Sequence, residues 1–319
     1  MRLTHAVATL VVLAAMLASP AAAADTVLAP DPGAGELTAL DGMVVWVSAS
    51  SSGQTLMRHS AAGTAPVAGA PKASVYRSLD LGRDRRGRLV LSYLRCRGNR
   101  CSAMRDDLAG HRTGVKGLAP RGCTLTTAPA LWGPRAAYGL FCTKGSGRSR
   151  RADVRRTGVY VKAATGRARR LRLPAQAVRF GINQVTRVDL RGTRVAAVVA
   201  DVYEYAFAQT VTGRGLSSAM VAASEGDSDE HVRGLGLGRS GVLWSLVDAS
   251  HAGDPNLAVV FRLAGSCRES ERLANPAGPG QEEGFRAVGL AVDGTALYLS
   301  VPGVGVVTHP FAPERACGV

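Results

Sequence analysis

Six times along the chain an apolar stretch runs into a tight glycine-containing turn and emerges as a second, more apolar stretch. The first copy is Leu37-Thr-Ala-Leu-Asp-Gly42-Met-Val-Val-Trp46, and the second runs from Leu79 to Leu91 around Gly87. The third places Leu125–Trp132 and Ala136–Phe141 on either side of Gly133-Pro134, and the fourth places Val188–Leu190 and Val195–Val199 around Gly192. The last two turn at Gly241, between Leu235 and Trp244, and at Gly294, between Val288 and Tyr298. Successive turn glycines are 45, 46, 59, 49 and 53 residues apart. Glycine suits these points because a two-residue hairpin turn needs positive φ, and Asp-Gly is the strongest short hairpin signal. The strand after each turn is almost wholly apolar, as expected where both faces of a sheet are covered.

A period of this length, with about four short strands per copy, is the signature of a β-propeller. Gln54–Arg58 and Ala65–Ala68 supply further strands of the first copy, and no segment after residue 24 has helical periodicity. Six turn glycines predict six four-stranded antiparallel blades. After Gly294 only 25 residues remain, too few for a whole blade. The stretch Asp25–Pro30 is therefore expected to be the outer strand of the last blade, so that the two chain ends close the ring. On this repeat pattern residues 25–319 resemble six-bladed propellers of the TolB-like kind. The resemblance implies a fold and no activity, since such propellers host enzymes, receptors and scaffolds alike.

Residues 1–24 read as a cleaved secretory signal peptide. Arg2 precedes the apolar run Ala6–Ala18, Ser19-Pro20 breaks it, and Ala21–Ala24 leads to a cleavage site before Asp25. All six cysteines follow that site, and an even count in an exported chain predicts disulfides. Cys96 and Cys101 flank a four-residue loop, while Cys123 and Cys142 are equidistant from the Trp132-Gly133 turn. Elimination then pairs Cys267 with Cys317. No later stretch approaches the ~18 apolar residues of a membrane helix.

Motifs of chemistry are sparse. Gly236-Leu-Gly238-Arg-Ser-Gly241 matches the dinucleotide-loop pattern, but a strand (Val242–Val247) follows where that site requires a helix, so it reads as a hairpin turn. The acidic run Glu225-Gly-Asp227-Ser-Asp229-Glu230 lacks the spacing of a calcium loop and reads as solvated. Trp46, Trp132 and Trp244 sit beside equivalent turns and are expected to pack blades together. No catalytic residue, cofactor or metal ligand set is nominated.

Charge is the remaining signal. Lysine and arginine number 39 against 24 acids, and only four of the cations are lysine. Residues 83–194 hold 27 cations and 5 acids. Within 144–172, taken as a basic insertion in the third blade, Arg148, Arg150, Arg151, Arg155, Arg156, Arg167, Arg169 and Arg170 form a candidate anion-binding surface. Few aromatics interleave them, which disfavours nucleic acid. The expected partner is an anionic polymer or an acidic protein of the cell envelope or beyond it. A second candidate site is the channel mouth, where counting back from the turns places Glu36, Arg77, Asn183, His231 and Arg286. Such a ring would take a carboxylate or phosphate, or else pair Glu36 with Arg77 or Arg286 and plug the pore. The leading expectation is an exported binding or scaffold module. The alternative is a propeller hydrolase or lyase acting at the channel mouth.

Overall fold

The computed structural model describes residues 25–71, 75–98, 100–149, 151–163, 165–172, 184–200, 204–210, 217–222, 229–250, 257–273 and 287–313. These are all-β, with two short 3-10 turns at Gly147–Ser149 and Arg239–Gly241 and no α-helix among them. After β1 (Thr26–Pro30), the strands β2 (Ala34–Leu40), β3 (Met43–Ser50), β4 (Gly53–Ser60) and β5 (Gly63–Pro66) form an antiparallel meander. The next meander is β6 (Val75–Arg83), β7 (Leu89–Arg97), β8 (Arg100–Asp106) and β9 (Arg112–Gly114). Then come β10 (Cys123–Leu125), β11 (Ala130–Trp132), β12 (Arg135–Lys144), β13 (Arg151–Ala152), β14 (Gly158–Lys162) and β15 (Arg169–Arg170). Two more meanders follow: β16 (Gln184–Arg191), β17 (Arg194–Ala200), β18 (Glu204–Thr210), β19 (Ser217–Ala222), then β20 (Asp229–Leu237), β21 (Leu243–Ser250), β22 (Leu257–Ala264), β23 (Cys267–Leu273). The last sheet is ordered β24 (Gly289–Asp293), β25 (Ala296–Val301), β26 (Gly305–His309) and finally β1, paired antiparallel to β26.

The six turn glycines all have positive φ, between 59° and 77°. At the first, Leu40 pairs with Met43 across Asp41-Gly42, and both turn residues are left-handed (φ 55° and 73°). That is the two-residue turn whose twist matches the strands it joins. The fifth turn carries the glycine-rich motif as a hairpin: β20 ends at Leu237, and β21 begins at Leu243.

Two features depart from six separate blades with unbroken inner strands. A single parallel bridge, Trp132 to Arg83, merges the β6–β9 and β10–β15 sets into one ten-stranded sheet. Gly82 permits it, since a Cβ there would lie 2.1 Å from the Leu131 carbonyl oxygen. In the third copy the inner strand is split. Leu125 faces Leu140 but Ala130 faces Ala137, so the register changes by two between β10 and β11. The basic stretch 144–172 contributes to the sheet itself, with β13 and β14 pairing with β12 and β15 pairing with β14.

Apolar cores lie between successive sheets. Val45, Val47 and Leu56 pack with Leu81, Leu91 and Tyr93, and Val159 and Val161 with Val188 and Val199. Leu246 and Val260 meet Leu290 and Leu299, while Ala29, Leu37 and Trp46 meet Ala291 and Val306. The first and last sheets of the chain thus share a core. Trp46 and Trp244 are buried as expected, with Trp46 Nε1 donating to Asp31 Oδ2 at 2.6 Å. Disulfides join Cys96 to Cys101 and Cys123 to Cys142, each with Cα atoms 4.0 Å apart. Cys267 is also disulfide-bonded, and Cys317 lies outside the described residues, as do residues 1–24.

Candidate functional site

The strands β2, β6, β11, β16, β20 and β24 contact one another in succession, and a cavity lies among them. One rim is formed where these strands begin, the other where they reach the turns. Four of them bulge near the starting rim, at Ala34/Leu37 in β2, Arg77/Asp80 in β6, Val185/Arg187 in β16 and Val232/Gly234 in β20. A bulge inserts one residue and re-aims its side chain. Here the inserted turns bring Glu36, Ser78 and Arg187 together.

Glu36 is held on both oxygens. Oε2 accepts from the Ser78 amide at 2.8 Å, and Oε1 from the Leu79 amide at 2.9 Å and from Arg187 Nη1 at 3.2 Å. Arg187 Nε donates to the Val232 carbonyl at 3.2 Å, so one ion pair ties four inner strands together. Among the described residues the ion-pair partner of Glu36 is Arg187. Arg77 is exposed beside the bulge, and His231 is exposed with its amide donating to Asp248 Oδ1 at 3.2 Å. Asn183 and Arg286 lie outside the described residues. Arg187 stands five positions before its turn glycine and Glu36 six before its own, so the two do not share one offset from the turns.

Deeper in the channel, polar side chains stitch adjacent strands. Thr38 Oγ1 accepts from the Leu81 amide (2.9 Å), Asp80 Oδ2 from the Leu131 amide (3.3 Å) and Asp189 Oδ2 from the Leu237 amide (2.7 Å). Arg191 donates to the Leu81 carbonyl at 2.5 Å and the Ala39 carbonyl at 2.9 Å, and its Nε lies 3.4 Å from Asp189 Oδ1. Burial holds the Asp80 carboxyl well above the usual carboxylate range, and the charge of neighbouring Asp189 adds to this while Arg191 opposes it. The cavity left here is about 30 Å³, room for roughly two waters.

A wider concavity lies beside the turns. A bowl of about 610 Å³ is lined there by Asp41, Trp132, Arg191, Arg194, Arg239 and Asp293, among others. Trp132 is half-buried, with the guanidinium groups of Arg83 and Arg191 5.7 and 5.9 Å from its ring centre. Arg83 also pairs with Asp41 at 2.6 Å, and Asp293 Oδ2 accepts from the Gly42 amide at 2.6 Å. Arg194 and Arg239 of the same lining are exposed, and no ion pair reaches them among the described residues.

The candidate anion surface lies on the 144–172 stretch. Arg151, Arg155, Arg156 and Arg167 are exposed, and no ion pair reaches them among the described residues. Arg156 Nη2 donates to the Arg121 carbonyl at 3.0 Å. Arg170 is half-buried, donating to the carbonyls of Thr157 (2.8 Å) and Val154 (3.2 Å), and Arg169 is half-buried beside it. Arg150 and the side chain of Arg148 lie outside the described residues, as do Glu225 and Asp227 of the acidic run. No group of three potential metal ligands occurs among the described residues.

No family model matches the chain, and no curated protein matches it. Among solved structures, it is similar to a chain of the mitotic checkpoint complex, at 10% identity over 95% of this chain and 99% of that one, with a TM-score of 0.47. The tricorn protease gives 10% identity and a TM-score of 0.44 over 93% of this chain and 34% of that one. A prolyl endopeptidase gives 11% and 0.39 over 92% and 44%. At these scores the likeness adds nothing to what the strand pairing establishes, an all-β chain with propeller-like organisation.

Proposed function

We propose that the chain is an exported six-bladed β-propeller that serves as a binding or scaffold module for an anionic partner. In this reading the two halves of the ten-stranded sheet are two blades, and β1 closes the ring. Cys267 and Cys317 form a third bridge in the mature chain, which begins at Asp25. Two disulfides, with no helix among the described residues long and apolar enough to cross a membrane, are compatible with that compartment. The observation that carries the partner's charge is the set of exposed arginines at Arg151, Arg155, Arg156 and Arg167, none held by an acid among the described residues. Binding is favoured over hydrolase or lyase chemistry because Glu36, the acid of that candidate mouth, is already engaged by two amides and a guanidinium.

The test is retention on heparin and on teichoic acid. The protein should be retained at low salt and released as the Debye length falls from ~30 Å at 0.01 M to ~8 Å at 0.15 M. Replacing Arg150, Arg151, Arg155 and Arg156 by glutamine should lower the eluting salt concentration markedly. Unchanged retention in that variant means the arginines are merely solvated and the partner is not read by this edge.

A further inference from the structure

The bowl beside the turns draws its lining from five hairpins, those joining β2 to β3, β11 to β12, β16 to β17, β20 to β21 and β24 to β25. Its volume of about 610 Å³ falls in the range of small-molecule sites. Other charges around it have partners: Arg83 pairs with Asp41, Arg191 with Asp189, and Asp293 accepts from the Gly42 amide. Arg194 and Arg239 have no acid partner among the described residues, and both side chains are exposed. The two belong to adjoining turns. Arg194 Nη1 donates to the Gly241 carbonyl at 3.4 Å, and Gly241 is two residues from Arg239 in the same turn. Glycine makes room for this, since a Cβ at Gly241 would lie 2.0 Å from Arg194 Cδ. The Arg239 backbone is tied in turn to the last hairpin, its amide donating to the Gly294 carbonyl at 3.1 Å. Ser240, also in the lining, holds a left-handed φ of 59°, a conformation that non-glycine residues rarely adopt and that collects at binding sites.

We infer that this bowl binds a small phosphomonoester through Arg194 and Arg239. Two cations on adjoining turns without an acid between them make a positive potential inside a concavity, where field lines are focused. A phosphate ester answers it with close to two negative charges at neutral pH and three acceptor oxygens. Guanidinium forks match phosphate oxygens bidentately, and the second fork is what a single carboxylate would leave uncompensated. The bowl is larger than one phosphate, and the partly exposed ring of Trp132 in its lining offers apolar surface to the organic group of the ester. None of these residues belongs to the 144–172 stretch, so this site and the polyanion edge can be removed separately.

Calorimetry with phenyl phosphate, inorganic phosphate and benzyl alcohol tests it. Wild type should bind phenyl phosphate about tenfold or more tightly than inorganic phosphate, the gain of burying the ring. Benzyl alcohol, which keeps the ring and lacks the charge, should bind more weakly than either. Arg194→Gln with Arg239→Gln should weaken phenyl phosphate about a hundredfold or more, by loss of charge-assisted hydrogen bonds. Both side chains are exposed, so the thermal midpoint of that variant should match wild type. The variant lacking Arg150, Arg151, Arg155 and Arg156 should bind phenyl phosphate normally whether or not it is retained on heparin. No heat from either phosphate, undiminished binding in the Arg194 and Arg239 variant, or benzyl alcohol binding as well as phenyl phosphate overturns the site. Phenyl phosphate binding no tighter than inorganic phosphate overturns the ester as its ligand.

Discussion

Asp80 sits where the channel is least like water, and its ionisation has a direct cost in stability. Burial and Asp189 raise its pKa in the folded protein, whereas an unfolded chain holds it near the ordinary ~3.9. The folded state therefore keeps a proton that the unfolded state has given up. Stability from this site is complete below about pH 4 and is lost as pH rises toward the folded-state value, by at most ~1.4 kcal/mol per pH unit. Asn in place of Asp80 keeps a donor toward Asp189 and removes the titration. In urea unfolding at pH 4, 6 and 8, the Asp80→Asn variant should gain on wild type as pH rises. A gap that stays constant with pH contradicts this. At the same scale, Glu36 and Arg187 both lie at bulges, which leave no compositional trace, so their pairing was not legible from the sequence. Trp132 packs against the cores on both sides of it, as its position beside the turn implied, and also lines the bowl at the turns.

Strands and turns were the most legible level, and the reason is local. Each turn glycine must take a left-handed conformation that other residues resist, so its position reports the fold without tertiary help. Cys123 and Cys142 were paired correctly by counting from the turn, although they meet only because the register slips by two between β10 and β11. What escaped was everything set by contact between sheets, namely the split of the third inner strand, the bridge at Gly82 and the four bulges. The remaining bridge is an element-scale question. Cys267 opens β23 just after a tight turn, where Ala264 pairs with it, so its sulfur is placed to fasten a distant segment to this strand. Non-reducing peptide mapping should recover Cys267 with Cys317 alongside the two hairpin bridges. Closing a loop of about 50 residues contributes roughly 4 kcal/mol on the chain-entropy model. Cys267→Ser with Cys317→Ser should therefore lower the unfolding midpoint clearly while leaving the fold intact. A different partner for Cys267, or an unchanged midpoint, removes the bridge from the reading.

At the scale of the whole molecule the decisive strand is the first. β1 adds to β26 through the pairs Thr26–Thr308 and Pro30–Gly305, and Ala29 is fully buried in the core shared by the first and last sheets. Asp25 Oδ1 meets His309 Nδ1 at 2.6 Å, and the Asp31 amide donates to the Val304 carbonyl at 3.2 Å. If the ring is closed by this strand, removing residues 25–30 does more than shorten a terminus. It leaves β26 with an unpaired edge, a ready template for other chains, and opens the core between the ends. The truncated protein should lose several degrees of thermal midpoint and associate in a concentration-dependent way. A synthetic peptide spanning Asp25–Asp31 should restore both properties by adding back as a strand. Ala29→Arg in the full-length chain provides a milder version, overpacking the shared core while leaving the backbone pairing available. It should lower the midpoint without the association seen on truncation. If truncation changes neither midpoint nor association state, the first strand is an ornament and the ring is held by its inner strands alone. If the peptide fails to rescue a folded truncated protein, β1 acts through covalent continuity with β2 and closure by strand pairing is wrong.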